Sequence, residues 1–216
     1  MLFIRFTRFV FMMLMLIKIP EAYANPSTSY IEEAIELAAR KADVPKALLR
    51  SICMTESNLK PDAFVFNDGG DDNHAIGMCQ VLRETAEKYV VKDHGCNRDF
   101  RNPGLKRNSQ NCKLFGPRTN ALVAAYYLRE QIKRYDGHLL KALAAYNSGS
   151  VRTCPTKGWV TNQGRNLYRC TPGDLANRRY VLRVKTFLVE TSPTLHDHLT
   201  SIDILTEKKP SSRKRS

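Results

Sequence analysis

The chain has 216 residues, of which 34 are lysine or arginine and 21 aspartate or glutamate, giving a formal net charge of +13. Such a surplus calls for an anionic partner, but an export signal and the absence of any recognition-helix, zinc-finger or RNP-like pattern argue against nucleic acid. Outside the inner membrane, the abundant polyanions are the cell wall and lipid headgroups.

Arg5 and Arg8 precede an uninterrupted apolar run from Phe9 to Ile17, and Ala22-Tyr23-Ala24 supplies a small-x-small cleavage pattern. Residues 1–24 therefore read as a cleaved secretory signal peptide, with Asn25 as the mature start and the periplasm as destination. The run is shorter than the roughly 20 apolar residues a bilayer span requires, so no stable membrane span is expected after cleavage. Arg5, Arg8 and Lys18 against Glu21 give the leader +2, which leaves +11 on the 192 mature residues. That length suits one domain, read here as 25–195, followed by a basic, disordered tail at 196–216 that ends in EKKPSSRKRS.

Ile31, Ala34, Ile35 and Ala38 recur at one-face helical spacing between Tyr30 and Ala42. A second helix starts at Asp43-Val44-Pro45, buries Leu48, Leu49, Ile52 and Cys53, and stops at Ser57-Asn58 before Pro61. Residues 64–80, rich in Asn, Asp and Gly, predict a loop with a short irregular strand or hairpin, and 85–91 a short helix. The polar excursion 92–118 needs a pin or a function. Ala121, Ala124, Ala125, Leu128, Ile132 and Tyr135 form the next helical stripe, closed by Gly137. Leu139 to Tyr146 makes another helix, ending in Asn147-Ser148-Gly149. After a second polar loop at 150–173, Asp174 is placed to cap a last helix with Tyr180, Val184, Phe187 and Leu188 inward. Strand signals are weak throughout, so the expected architecture is mainly α-helical with loops crowding one face.

Six cysteines, at 53, 79, 96, 112, 154 and 170, are an even count in an exported chain, and no C-x-x-C spacing suggests zinc. Cys96 with Cys112 and Cys154 with Cys170 would each close a polar loop, where a crosslink removes unfolded-chain entropy. Cys53 and Cys79 remain, either as a third bridge or as two buried thiols.

Glu56 stands in the last turn of the second helix, behind Ile52, Cys53 and Met54. Apolar walls penalise a carboxylate's charged form, and the carbonyls of a helix C-terminus act in the same direction. Such a place suits an acid. A surface Glu near a helix end is the plainer alternative.

The motifs ESNLKPDA at 56–63, GMCQV at 77–81, Thr85-Ala86, Tyr127-Leu128 and ALAAYNSG at 142–149 follow one another in a single order. In that order, over about residues 30–155, the chain resembles the lytic transglycosylases of the SLT-domain family. In size it resembles the small secreted members, which often serve secretion, conjugation or pilus systems. The resemblance implies a mainly α, goose-type-lysozyme-like domain with a small irregular β or loop region, stapled by disulfides. It implies Glu56 as catalytic acid/base, and Ser57 steadying it or the substrate acetamido group. Met78 and Gln80 would line the sugar site, Tyr127 would reach the groove, and Tyr146 with Asn147 would sit over the reacting centre. The implied partner is peptidoglycan, cut by a monomer without cofactor or metal.

Three departures stand out: Cys79 replaces the usual Met, Arg83 the usual Pro, and the loop from Phe66 to Asn73 is long and acidic. A Cys53–Cys79 bridge would tie the Glu56 helix to the Gln80 loop. If Asp68, Asp71 or Asp72 positioned a water across the bond, the protein would instead be a hydrolytic muramidase. The same run lacks the D-x-[DN]-x-[DN]-G spacing of a calcium loop. A rival from another class is a non-catalytic peptidoglycan-binding assembly factor. Trp159 suits a plug of the second crosslinked loop, or a platform for a sugar ring.

Overall fold

The structure, a computed structural model, describes residues 27–66, 73–89, 96, 112–154, 159–162, 166–169 and 174–201. The expected signal peptide, Asp68, Asp71, Asp72, Cys170 and residues 202–216 lie outside them. Among the described residues the fold is mainly helical, with seven α-helices, a three-stranded sheet and a two-stranded one.

Helix α1 (Thr28–Ala42) starts at Ser27, whose hydroxyl accepts the Tyr30 N–H at 3.4 Å. Its predicted stripe of Ile31, Ala34, Ile35 and Ala38 is buried. Its outer glutamates each hold a cation from another helix: Glu32 with Arg50 at 2.7 Å, Glu33 with Arg118 at 2.8 Å and Glu36 with Lys46 at 2.8 Å. Helix α2 (Lys46–Ser57) buries Leu48, Leu49, Ile52 and Cys53 as its spacing predicts. It ends abruptly. Asn58 and Leu59 both adopt left-handed φ, at 58° and 59°, and their N–H groups return to the Met54 and Cys53 carbonyls.

The Asn- and Gly-rich segment becomes a small antiparallel meander of β1 (Phe64–Val65), β2 (Ala75–Ile76) and β3 (Val81–Leu82), in the order β1-β2-β3. Phe64 pairs with Ile76, and Ile76 with Val81. Helix α3 (Arg83–Tyr89) follows at once, two residues earlier than expected. A 3-10 turn at Lys113–Phe115 then feeds α4 (Pro117–Arg134), the central helix, which packs on α1, α2, α3 and α5 (Leu139–Ser148). Gly149, at φ 74°, closes α5.

Three expectations need correction beyond that point. The second loop contains an antiparallel hairpin, β4 (Trp159–Asn162) with β5 (Asn166–Arg169). Each strand is only four residues long, too short for alternation to stand out. Asp174 does not cap the last helix. It is buried, its C=O accepts the Cys154 N–H at 2.8 Å, and α6 (Arg178–Thr191) starts after Asn177. A further helix, α7 (Pro193–Ser201), runs past residue 195, where the tail was expected to start, because Leu199 is buried in the core.

Among the described glycines, Gly77 carries the tightest approach. At φ +76°, an added Cβ would lie 2.3 Å from Asn120 Nδ2 and 2.5 Å from the Leu114 carbonyl oxygen. Gly137 has a similar φ of +82° with nothing within 4 Å. Gly77→Ala should therefore lose about 3 kcal/mol in urea unfolding, through overpacking added to backbone strain. Gly137→Ala should lose only about 1 kcal/mol, from strain alone.

Candidate active site

The double left-handed stop of α2 sets Glu56 where the helix ends and the chain turns away. Its Oε1 accepts the Tyr180 hydroxyl at 2.8 Å, a partner 124 residues downstream on α6. Helix α6 packs along α2, and Arg183 Nη2 donates to the Thr55 carbonyl at 3.0 Å. That bond satisfies a terminal carbonyl that α2 itself leaves open. One helix thus supplies both a partner for the carboxylate and a fastening for its backbone.

The turn from Gly77 to Gln80 forms the facing wall, and two ties hold it to α2. One is the Cys53–Cys79 disulfide, so the pair that the cysteine count left over is a bridge rather than two buried thiols. The other is Ser57, whose hydroxyl donates to the Met78 carbonyl at 2.7 Å and accepts the Lys60 N–H at 3.0 Å. Gln80 takes a left-handed φ of 49°, uncommon for a residue with a Cβ, and its Nε2 donates to the Gly77 carbonyl at 2.8 Å. Cys96–Cys112 is also bridged, Cys154 is disulfide-bonded, and no described cysteine is free.

Tyr146 comes from the end of α5 and donates its hydroxyl to the Cys79 carbonyl at 3.2 Å. Burial first, and then the charge of Glu56, push its phenol well above the ordinary range. Tyr180 is raised well above it by the same two causes in the same order. Tyr180 as a whole residue is partly exposed, and the buried part of its side chain is the phenol hydroxyl that meets Glu56 from α6. Both phenols stay neutral at any physiological pH, within electrostatic reach of one carboxylate.

The expected residues divide accordingly. Tyr146 lies within electrostatic reach of Glu56, Gln80 turns its amide back onto the Gly77 carbonyl of its own turn, and Ser57 is adjacent to Glu56 with its hydroxyl committed to the backbone of that turn. Met78 is fully buried, so its side chain belongs to the core rather than to a sugar-lining surface, and only its carbonyl faces the α2 end. Tyr127 lies one layer back, its ring 5.1 Å from that of Tyr146 and its hydroxyl 3.4 Å from the Ala145 carbonyl. Asn147 is exposed, and its Oδ1 accepts from Asn177 Nδ2 at 3.2 Å. Sequence reasoning missed the Glu56–Tyr180 contact. Tyr180 reads as one more position of a helical core stripe, and no local signal marks it as a carboxylate's partner.

Among the described residues, no group of three His, Cys, Asp or Glu side chains is placed to hold a metal ion. None of the described helices is long and apolar enough to cross a membrane. What the arrangement offers is a carboxyl group at a helix end, held by a phenol. A phenol can donate to a carboxylate or accept from a carboxylic acid, so the contact is available in both protonation states.

Residues 33–168 match the Transglycosylase SLT domain family. Among solved structures, the chain is similar to an inactive mutant of lytic transglycosylase Slt from Pseudomonas aeruginosa, at 19% sequence identity and a TM-score of 0.47. That likeness covers 76% of this chain and 24% of the other, so the chain spans about a quarter of that protein's length.

The two buried phenols have a consequence in alkali. Their neutral form is favoured by the fold, so their contribution is complete below the unfolded phenol value of about 10 and is lost as pH rises through the higher native values. Urea midpoints should fall above about pH 10, and Tyr146→Phe, which keeps the ring and removes the ionisable group, should flatten that fall.

Proposed function

The chain belongs to the transglycosylase SLT domain family, with its mainly helical, lysozyme-like fold, and on that premise we propose that it is a peptidoglycan lytic transglycosylase with Glu56 as its acid and base. The observation that carries this reading is the seat of Glu56: a helix terminus fixed from α6 by Tyr180 and Arg183, opposite a crosslinked turn that bears Gln80. Glu56 protonates the oxygen joining N-acetylmuramic acid to N-acetylglucosamine. The leaving sugar departs with that proton, and the neighbouring acetamido group stabilises the cationic anomeric carbon.

Glu56, now a carboxylate, takes the proton of the muramyl 6-hydroxyl as that oxygen bonds to the anomeric carbon. The product is a 1,6-anhydromuramyl end, and Glu56 is again an acid. A single carboxyl group suffices because the nucleophile belongs to the substrate, where effective molarities reach about 10⁵ M or more in well-oriented cases. Tyr180 keeps the carboxyl in one orientation through both steps. Tyr146, raised beyond ionisation by burial, offers a neutral edge beside it.

The proposal extends to place and purpose. The surplus of +11 that remains once the leader's +2 is taken from +13 favours an anionic wall, and the leader-like residues 1–24 favour export to the periplasm. Local wall opening for a secretion, conjugation or pilus apparatus agrees with the small secreted relatives the sequence resembles.

Muropeptides released from purified sacculi should carry anhydro ends, lighter by one water than the reducing ends a muramidase leaves. Glu56→Gln should release none while keeping the wild-type melting curve. Tyr180→Phe should lower turnover about tenfold or more, the size expected for losing a hydrogen bond to a charged group. Reducing-end products would make the protein a hydrolase, and equal solubilisation by wild type and Glu56→Gln would leave it a binding factor.

A further inference from the structure

Asn120 lies in the first turn of α4, fully buried, and uses its whole amide. Nδ2 donates to the Ile76 and Leu114 carbonyls, each at 2.8 Å, and Oδ1 accepts the Cys79 N–H at 2.8 Å. These bonds bracket the Gly77–Gln80 turn. Asn120 also helps to exclude a side chain at Gly77, since its Nδ2 sits 2.3 Å and the Leu114 carbonyl oxygen 2.5 Å from where a Cβ would stand.

The same bonds clamp two peptide planes. The Cys79 N–H belongs to the peptide unit whose carbonyl is that of Met78. Asn120 grips the N–H, and the Ser57 hydroxyl grips the C=O at 2.7 Å. Likewise Asn120 grips the Ile76 carbonyl, while the N–H of that unit, on Gly77, donates to the Ala63 carbonyl at 2.8 Å. A trans peptide unit is planar and resists twisting, so each one transmits orientation from one end to the other. The chain of contact runs from Asn120 through the 78–79 plane to Ser57, the residue next to Glu56. The Cys53–Cys79 bridge limits how far the turn can move, but a crosslink through side chains does not set how its peptide planes are rotated.

We propose that Asn120 is a positioning residue for the reaction. It acts through these two peptide planes to set the 77–80 turn, with Gln80 and the Tyr146-bonded Cys79 carbonyl, against the Glu56 end of α2. The inference rests on the transglycosylase reading. Asn120 has no contact with Glu56 and acts only through the turn.

The test compares Asn120→Ala, Ser57→Ala, their double variant and Leu128→Ala, a core change in the same helix outside the relay. All are assayed for anhydromuropeptide release at a temperature where each is folded by circular dichroism. Asn120→Ala should lose about tenfold or more in kcat with KM within about threefold, as expected for a small misplacement of reacting groups. The double variant should lose no more than the worse single one, because both changes release one plane. Leu128→Ala should keep kcat within about twofold, although core truncation lowers its stability by a comparable amount.

Hydrogen exchange gives a readout independent of turnover. The Cys79 and Gly77 amides should exchange about tenfold faster in Asn120→Ala, or in Asn120→Ser if the alanine variant does not fold, with the centre of α1 unchanged. Wild-type exchange at those amides, kcat equal to that of Leu128→Ala, or a double variant that multiplies the single losses would each overturn the proposal. A wild-type protein that releases no anhydro product would instead overturn the transglycosylase reading, and the positioning role with it.

Discussion

The fastening of the end of α2 is the constraint on which the candidate site depends. A helix terminus leaves carbonyls unsatisfied and frays readily, so a carboxyl group placed there is poorly held unless other elements intervene. Here four do. Two left-handed residues stop the helix, Arg183 takes the Thr55 carbonyl, Cys53 is bridged to Cys79, and Ser57 is bonded to the Met78 carbonyl. Glu56 thus stands, partly exposed, at a helix end whose backbone is fastened from two sides.

Around this point the protein is organised as two jaws on a common base. Helix α4 is the base, packed on α1, α2, α3 and α5. From it Asn120 reaches the 77–80 turn, and α5, which it supports, delivers Tyr146 to the same turn. Helix α6 is the other jaw, laid along α2. The salt links of α1 serve a different end, since Glu32, Glu33 and Glu36 neutralise cations contributed by α2 and α4. Surface and part-buried pairs of this kind add little stability each, but they neutralise part of the positive charge of α2 and α4.

How much of this was legible in the sequence follows from what each signal measures. Helical periodicity reports burial on one face, and it located α1, α2, α4 and α5 because their stripes of Ile, Leu and Ala are long and regular. The hairpin of β4 and β5 escaped, since strands of four residues carry too few alternations. Asp174 looked like a cap because Asp precedes the stripe of α6, but it lies in a backbone bridge to the Cys154 segment and the helix begins four residues later. At the site, motif order singled out Glu56, Gln80 and Tyr146, which stand at the end of α2, in the turn after β2 and near the end of α5. Met78 was misread, since a motif position does not say whether a residue offers its side chain or its carbonyl. Tyr180 was invisible as a partner, because pairing across α2 and α6 is a tertiary fact with no local trace.

The long reach from Glu56 to Tyr180 bears on when the protein becomes competent. Contacts between residues far apart in a chain form late, after the intervening loops have closed. A polypeptide emerging amino end first can complete α2, the meander and α4 while α6 is still undelivered, so the glutamate exists for a time without the phenol that orients it. Maturation of the site is therefore coupled to the arrival of the last segments of the chain, and a molecule cut short before α6 would keep every motif around Glu56 yet lack a finished centre.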